Sequence, residues 1–122
     1  MHEPQELARR IDVIERGYEY LLAYAAQGRQ SDAGSEARAT LTDVHSALDG
    51  LSELLAAALG SATADAAGFI EAIEDDARKA RGAIGLVLSR PAISSLLVDN
   101  LNASIHLRAL LTDVFLADQA LR

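Results

Sequence analysis

The chain reads as an all-α protein, an antiparallel four-helix bundle running up, down, up, down, and three observations predict it. Apolar residues recur at alternating three- and four-residue intervals in four separate stretches, which puts one apolar seam on each of four helices. The links between these stretches are short, so consecutive helices turn back on one another. Alternation of period two is nowhere sustained and alanine is abundant, so no sheet competes. The reading is a single domain over residues 1–122.

The first predicted helix covers 4–27. Pro4 suits a first turn because its φ is already helical, and Leu7, Ile11, Ile14, Tyr18, Leu21 and Ala25 form the seam. Glu6 with Arg10, and Asp12 with Arg16, stand one turn apart on the outer face. Gly28 opens the flexible segment that ends the helix. A second stripe on this helix carries Val13, Gly17, Tyr20 and Tyr24. Paired tyrosines are amphipathic and enriched at interfaces, so Tyr20 and Tyr24 are candidate contact residues.

The second predicted helix covers 35–59, capped by Ser31 or Ser35, with its seam at Ala37, Leu41, Val44, Leu48, Leu51, Leu55 and Ala58. The third covers 64–88 with Ala66, Ile70, Ile73, Ala77, Ala80, Ile84 and Val87. Small residues fill much of that seam, and Gly82 and Gly85 follow near its end. An interior glycine costs about 1 kcal/mol relative to alanine. Close approach of a neighbouring helix, or a gap admitting a small apolar ligand, would account for them.

The fourth predicted helix covers 91–121, with Pro91 in its first turn. Its seam is Ile93, Leu96, Asn100, Ala103, Leu107, Leu110, Val114, Ala117 and Leu121. Asn100 sits where leucine is expected and reads as a polar core residue that fixes register. Alternatively Asp99, Asn100 and Asn102 interrupt the helix by competing for backbone hydrogen bonds. Leu97, Leu101, Leu111 and Phe115 flank this seam while Val98 and Ile105 lie nearly opposite it. Two opposed apolar faces predict a contact with another chain, most simply a homodimer through Leu97, Leu101, Ile105, Leu111 and Phe115.

Composition excludes several classes of function. Eighteen acidic side chains against eleven basic ones give a net charge of −7, which repels a phosphate backbone and argues against nucleic acid. The absence of cysteine removes disulfides, thiolate metal sites and thiol nucleophiles. Apolar runs are far shorter than the roughly 20 residues a membrane span requires. Met1 to Arg16 is charged throughout, unlike a signal peptide. A cytoplasmic protein without membrane contact is expected.

No metal or cofactor is expected either, because the Glu-x-x-His pairs of carboxylate-bridged bundle sites are missing: Thr42 precedes His45 by three positions and Ala103 precedes His106. His45, followed by Ser46, Ala47, Leu48, Asp49 and Gly50, resembles in outline the histidine phosphotransfer modules, which are small acidic four-helix bundles. That resemblance implies phosphoryl transfer through His45, although Leu48 and Asp49 stand where those modules carry lysine and glycine. The expectation that best covers these observations is a non-catalytic adaptor, chaperone-like or regulatory protein that binds itself and another protein. A small-ligand-sensing bundle is the remaining alternative.

Overall fold

A computed structural model describes residues 2–59 and 64–120. It is all-helical, with six helices among the described residues: α1 His2–Ala25, α2 Ala37–Leu48, α3 Leu51–Leu59, α4 Ala64–Leu88, α5 Ser95–Ser104 and α6 Leu107–Ala120. Two of the predicted helices are therefore each two helices. The long helices α1 and α4 both pack against α2, α3, α5 and α6, which makes them the two continuous struts of the molecule.

The second predicted helix breaks at Asp49 and Gly50. Asp49 leaves helical geometry with φ −68° and ψ 122°, and Gly50 takes φ +72°, the left-handed conformation that costs glycine least. The carbonyls stranded at the end of α2 find a donor in α1, where Arg10 Nη1 reaches Ala47 O at 3.3 Å and also bonds Asp49 O. The helix restarts at Leu51, with Leu54 N donating to Gly50 O at 3.1 Å.

The fourth predicted helix differs more. Pro91 lies in an irregular link, and α5 begins only at Ser95, where Ser94 Oγ accepts from Leu97 N at 3.0 Å as a side-chain cap. The helix then stops at Ser104 and Ile105 is extended, with φ −101° and ψ 140°. Buried positions run Ser95, Val98, Leu101 and Ile105, then step two residues to Leu107, Leu110, Leu111, Val114 and Ala117. A two-residue step moves the buried stripe to a new face, and this resets the phase. Asn100 is consequently exposed on the outer side of α5 and is not a core residue. Leu96, expected in the seam, is 68% exposed. The helix is interrupted, but at Ser104–His106, downstream of Asp99, Asn100 and Asn102.

In α1 the buried stripe turns toward α2, so that Gly17 and Tyr24 are covered where Tyr18 and Ala25 are only partly so. Gly17 is a close-approach glycine, because a Cβ there would overlap the Val44 Cγ2 methyl of α2. Gly82 and Gly85 are the reverse: a Cβ at either meets nothing within 4 Å, so no helix approaches them.

Candidate interaction surface

The two loops at one end of the molecule are tied into a single polar clasp. Tyr24, fully buried, donates from its hydroxyl to Ile93 O at 2.6 Å. Ser95 Oγ donates to Tyr24 O at 2.7 Å and accepts from Arg29 N at 2.8 Å, while Ser95 N donates to Arg29 O at 2.9 Å. Arg29 also lies over the Tyr24 ring, 5.7 Å from its centroid. On the other side Asp32 Oδ1 accepts from Ile93 N at 2.8 Å and Asp32 Oδ2 from Arg38 Nε at 3.2 Å. Arg38 then caps the end of α4, its two terminal nitrogens donating to Leu88 O at 2.9 Å and Arg90 O at 3.0 Å. The Ile93 N–H, and to a lesser degree Arg38, hold the Asp32 carboxyl below its ordinary pKa.

This clasp decides the fate of the tyrosine pair. Tyr24 and Tyr20 stack with centroids 6.1 Å apart, and the Tyr20 hydroxyl accepts from Glu36 N at 3.1 Å. Tyr24 is a buried structural residue and is unavailable to a partner, which corrects its assignment as a contact residue; Tyr20 is half-buried. Leu101, Ile105 and Leu111 are likewise buried within the chain. The phase reset at Ile105 turns what read as a second apolar face into part of the core, so these three offer no surface to a second copy. Leu97 is partly buried against the core and Phe115 is 39% exposed. His45 is half-buried on α2 and His106 exposed at the α5–α6 break.

The large apolar side chains left exposed are Leu22, Leu86, Leu96, Phe115 and Leu116, and two of them, Leu22 and Leu96, belong to α1 and α5, which pack against each other. At the break, Tyr18, Asn102, Ile105, His106, Arg108 and Asp113 border a cleft of about 470 Å³. Asn102 Nδ2 donates to Leu21 O at 3.2 Å, which joins α5 to α1, while its Oδ1 is buried without a partner. Asp113 has its pKa raised, chiefly by burial and further by Asp76 of α4. Because Tyr18 borders this cleft, the stripe of α1 that carries it runs beside α5, and Glu15, Glu19 and Leu22 belong to that stripe at helical spacing. Leu22 is 47% exposed. On α5 the exposed Leu96 and Asp99 stand three residues apart, and Asp99 stands three residues before Asn102.

Sequence reasoning missed Leu22 and misplaced Leu96 because both look like ordinary members of apolar runs. Only the phase of the buried stripe separates them from the core. A second recess, of about 390 Å³, lies at the α2–α3 break. Arg78 bridges Glu74 and Asp75 at 3.2 and 3.0 Å and Arg81 Nη1 lies 3.7 Å from Asp49, while Arg81 Nε is buried without a hydrogen-bond partner. Among the described residues no three His, Cys, Asp or Glu side chains gather as a metal site, and no helix is long and apolar enough to cross a membrane. Comparison with protein-family models, with curated proteins and with solved structures finds no match for this chain.

Proposed function

We propose that this protein works by binding another protein through the α1–α5 margin, and that α2–α3 and α5–α6 act as two bent rods completing an antiparallel bundle with α1 and α4. The observation that carries the reading is the exposure of Leu22 and Leu96, 47% and 68%, beside loops held by the clasp. Leaving large apolar side chains in water forgoes about 1.5–3 kcal/mol apiece, and exposed apolar surface can mark an interaction site. Binding rather than catalysis is proposed because the polar side chains nearest these leucines cap helices and join loops.

Photo-crosslinking from a reactive amino acid placed at position 22 or 96, in extract of the source cell, tests the proposal. Defined adducts are expected from both positions and none from position 71, an exposed site on α4. A crosslink to the same chain would identify self-association through this margin. Absence of adducts at 22 and 96, or equal labelling from 71, would remove the proposal.

A further inference from the structure

The cleft at the α5–α6 break gathers polar groups that the fold itself does not use. Asn102 reaches it from α5, and because its Nδ2 is engaged by Leu21 O at 3.2 Å, the atom left over is Oδ1, a buried acceptor without a donor. Buried polar groups nearly all find partners, so Oδ1 is a place for an N–H or O–H. Asp113 of α6 borders the same cleft, half-buried and without a hydrogen bond or ion pair among the described residues. Burial raises its pKa and Asp76 of α4 adds repulsion, so a cation beside it would relieve both. Arg108 and His106 border the cleft at the start of α6, exposed and equally without partners for their side chains. Elsewhere Arg10, Arg29, Arg38 and Arg78 are bonded to carboxylates or carbonyls of the chain. Arg108 and Asp113 are five residues apart, about 7.5 Å along the axis of α6, and form no ion pair with each other. One cleft thus carries an unanswered cation, an unanswered carboxyl and an unanswered buried acceptor.

We infer that this cleft binds a small zwitterion, a free α-amino acid, its ammonium donating to Asn102 Oδ1 and facing Asp113 while its carboxylate faces Arg108 and His106. The ammonium supplies both the donor that Oδ1 lacks and the positive charge that Asp113 and Asp76 favour. The carboxylate supplies the planar acceptor that a guanidinium fork matches, at the helix end whose dipole favours an anion. A ligand with a single charge would leave one end of the cleft unanswered. Two charge-assisted hydrogen bonds of about 2.8 Å each, with the short backbone of an α-amino acid between them, bridge a separation of the order that Arg108 and Asp113 have. A cleft of about 470 Å³ is of ordinary size for a small-molecule site and leaves room for a side chain beside Tyr18 and Ile105. This inference is independent of the proposed protein-binding role of the α1–α5 margin.

Two-dimensional NMR of the whole chain, titrated with each proteinogenic L-amino acid in turn into the millimolar range, tests it. At least one is expected to shift the Asn102 side-chain amide and the backbone signals of 105–109 saturably. Its N-acetyl derivative and its amide, each missing one charge, should bind at least about tenfold more weakly. Arg108→Gln and Asp113→Asn should each weaken binding by about tenfold or more, while Lys79→Gln, at an exposed position on α4, leaves it unchanged. The Asp113 carboxyl should also titrate at lower pH in the ligand-bound protein, a change that a purely structural Asp113 would not show. Arg108 is exposed and Asp113→Asn removes an unfavourable charge, so both variants are expected to fold, which the spread of their amide signals checks. No saturable shift with any amino acid, undiminished binding of the N-acetyl derivative or of the amide, or undiminished binding by the two variants overturns the inference.

Discussion

At the scale of single residues, the glycines separate tight contact from open surface. Gly17 lies against Val44, a buried residue with a stiff β-branched side chain, and added bulk in such a place costs about 1–3 kcal/mol. Gly17→Ala is expected to lower the melting temperature despite its better helix propensity, and Val44→Ala in the same chain should recover part of the loss. Gly82→Ala adds a methyl to open space and should stabilise by about 0.5–1 kcal/mol. Thermal melts of the three variants check both signs. Asp32 is the other informative residue. Removing it orphans the Ile93 N–H and leaves Arg38 with only carbonyl partners, so Asp32→Ala should cost about 1–3 kcal/mol in denaturant titration. Its carboxyl has a lowered pKa, so its contribution is present above the unfolded pKa and disappears as pH falls through the lower folded value. Glu6, held at about 2 by Arg9 and then Arg10, titrates in the same sense. Denaturation curves from pH 6 downward should show the wild type losing stability more steeply than Asp32→Ala.

At the scale of the elements, the breaks matter more than the helices. The α4 seam at Ile73, Ala77, Ala80, Ile84 and Val87 is legible in the sequence because one continuous helix carries one phase. In the last third of the chain the same spacing misleads. The series Leu96, Asn100, Ala103 and Leu107 is as regular as the true one, and nothing in its spacing reveals that Ile105 is extended. The Asp49–Gly50 pair carried a usable signal, a glycine after a poor helix former, although apolar residues on both sides concealed it. Two substitutions distinguish the phases. Ile105→Ala opens the core and should destabilise by about 2–4 kcal/mol, whereas Leu96→Ala should stay within about 0.5 kcal/mol of wild type. A continuous helix would place Leu96 in the seam and reverse their order, so equilibrium urea unfolding of both decides the matter. Asp113 tests the packing of α6 near α4. Its pKa is raised, so ionisation at neutral pH opposes folding, and that penalty is relieved as pH falls toward the unfolded value. Asp113→Asn should therefore raise stability at pH 7 and make little difference near pH 3.

At the scale of the whole molecule, the arrangement is two long struts with four shorter helices shared between them. Because α1 and α4 each touch both broken pairs, no pair can detach without stripping both struts. Unfolding is expected to be a single cooperative transition with an enthalpy of roughly 85 kcal/mol near 60 °C for a chain of this length. Differential scanning calorimetry checks it, and a van't Hoff enthalpy well below the calorimetric one would show that a pair melts separately. The proposed binding margin belongs to this scale too, since it exists only where α1 and α5 lie side by side. No single stretch of sequence contains it, which is why the apolar and acidic residues composing it looked unremarkable one helix at a time.

The clasp has a kinetic consequence. Most surfaces that include loops must surrender conformational freedom when a partner lands, and each rotamer-rich side chain immobilised costs about 0.5–1.5 kcal/mol. Here Arg29, Asp32 and Arg38 are already engaged with backbone groups, and the link through Ile93 is pinned from both sides. The leucines beside it stand on a preorganised rim. Association there should proceed as rigid docking, with rates set by orientation and charge and not by a folding step.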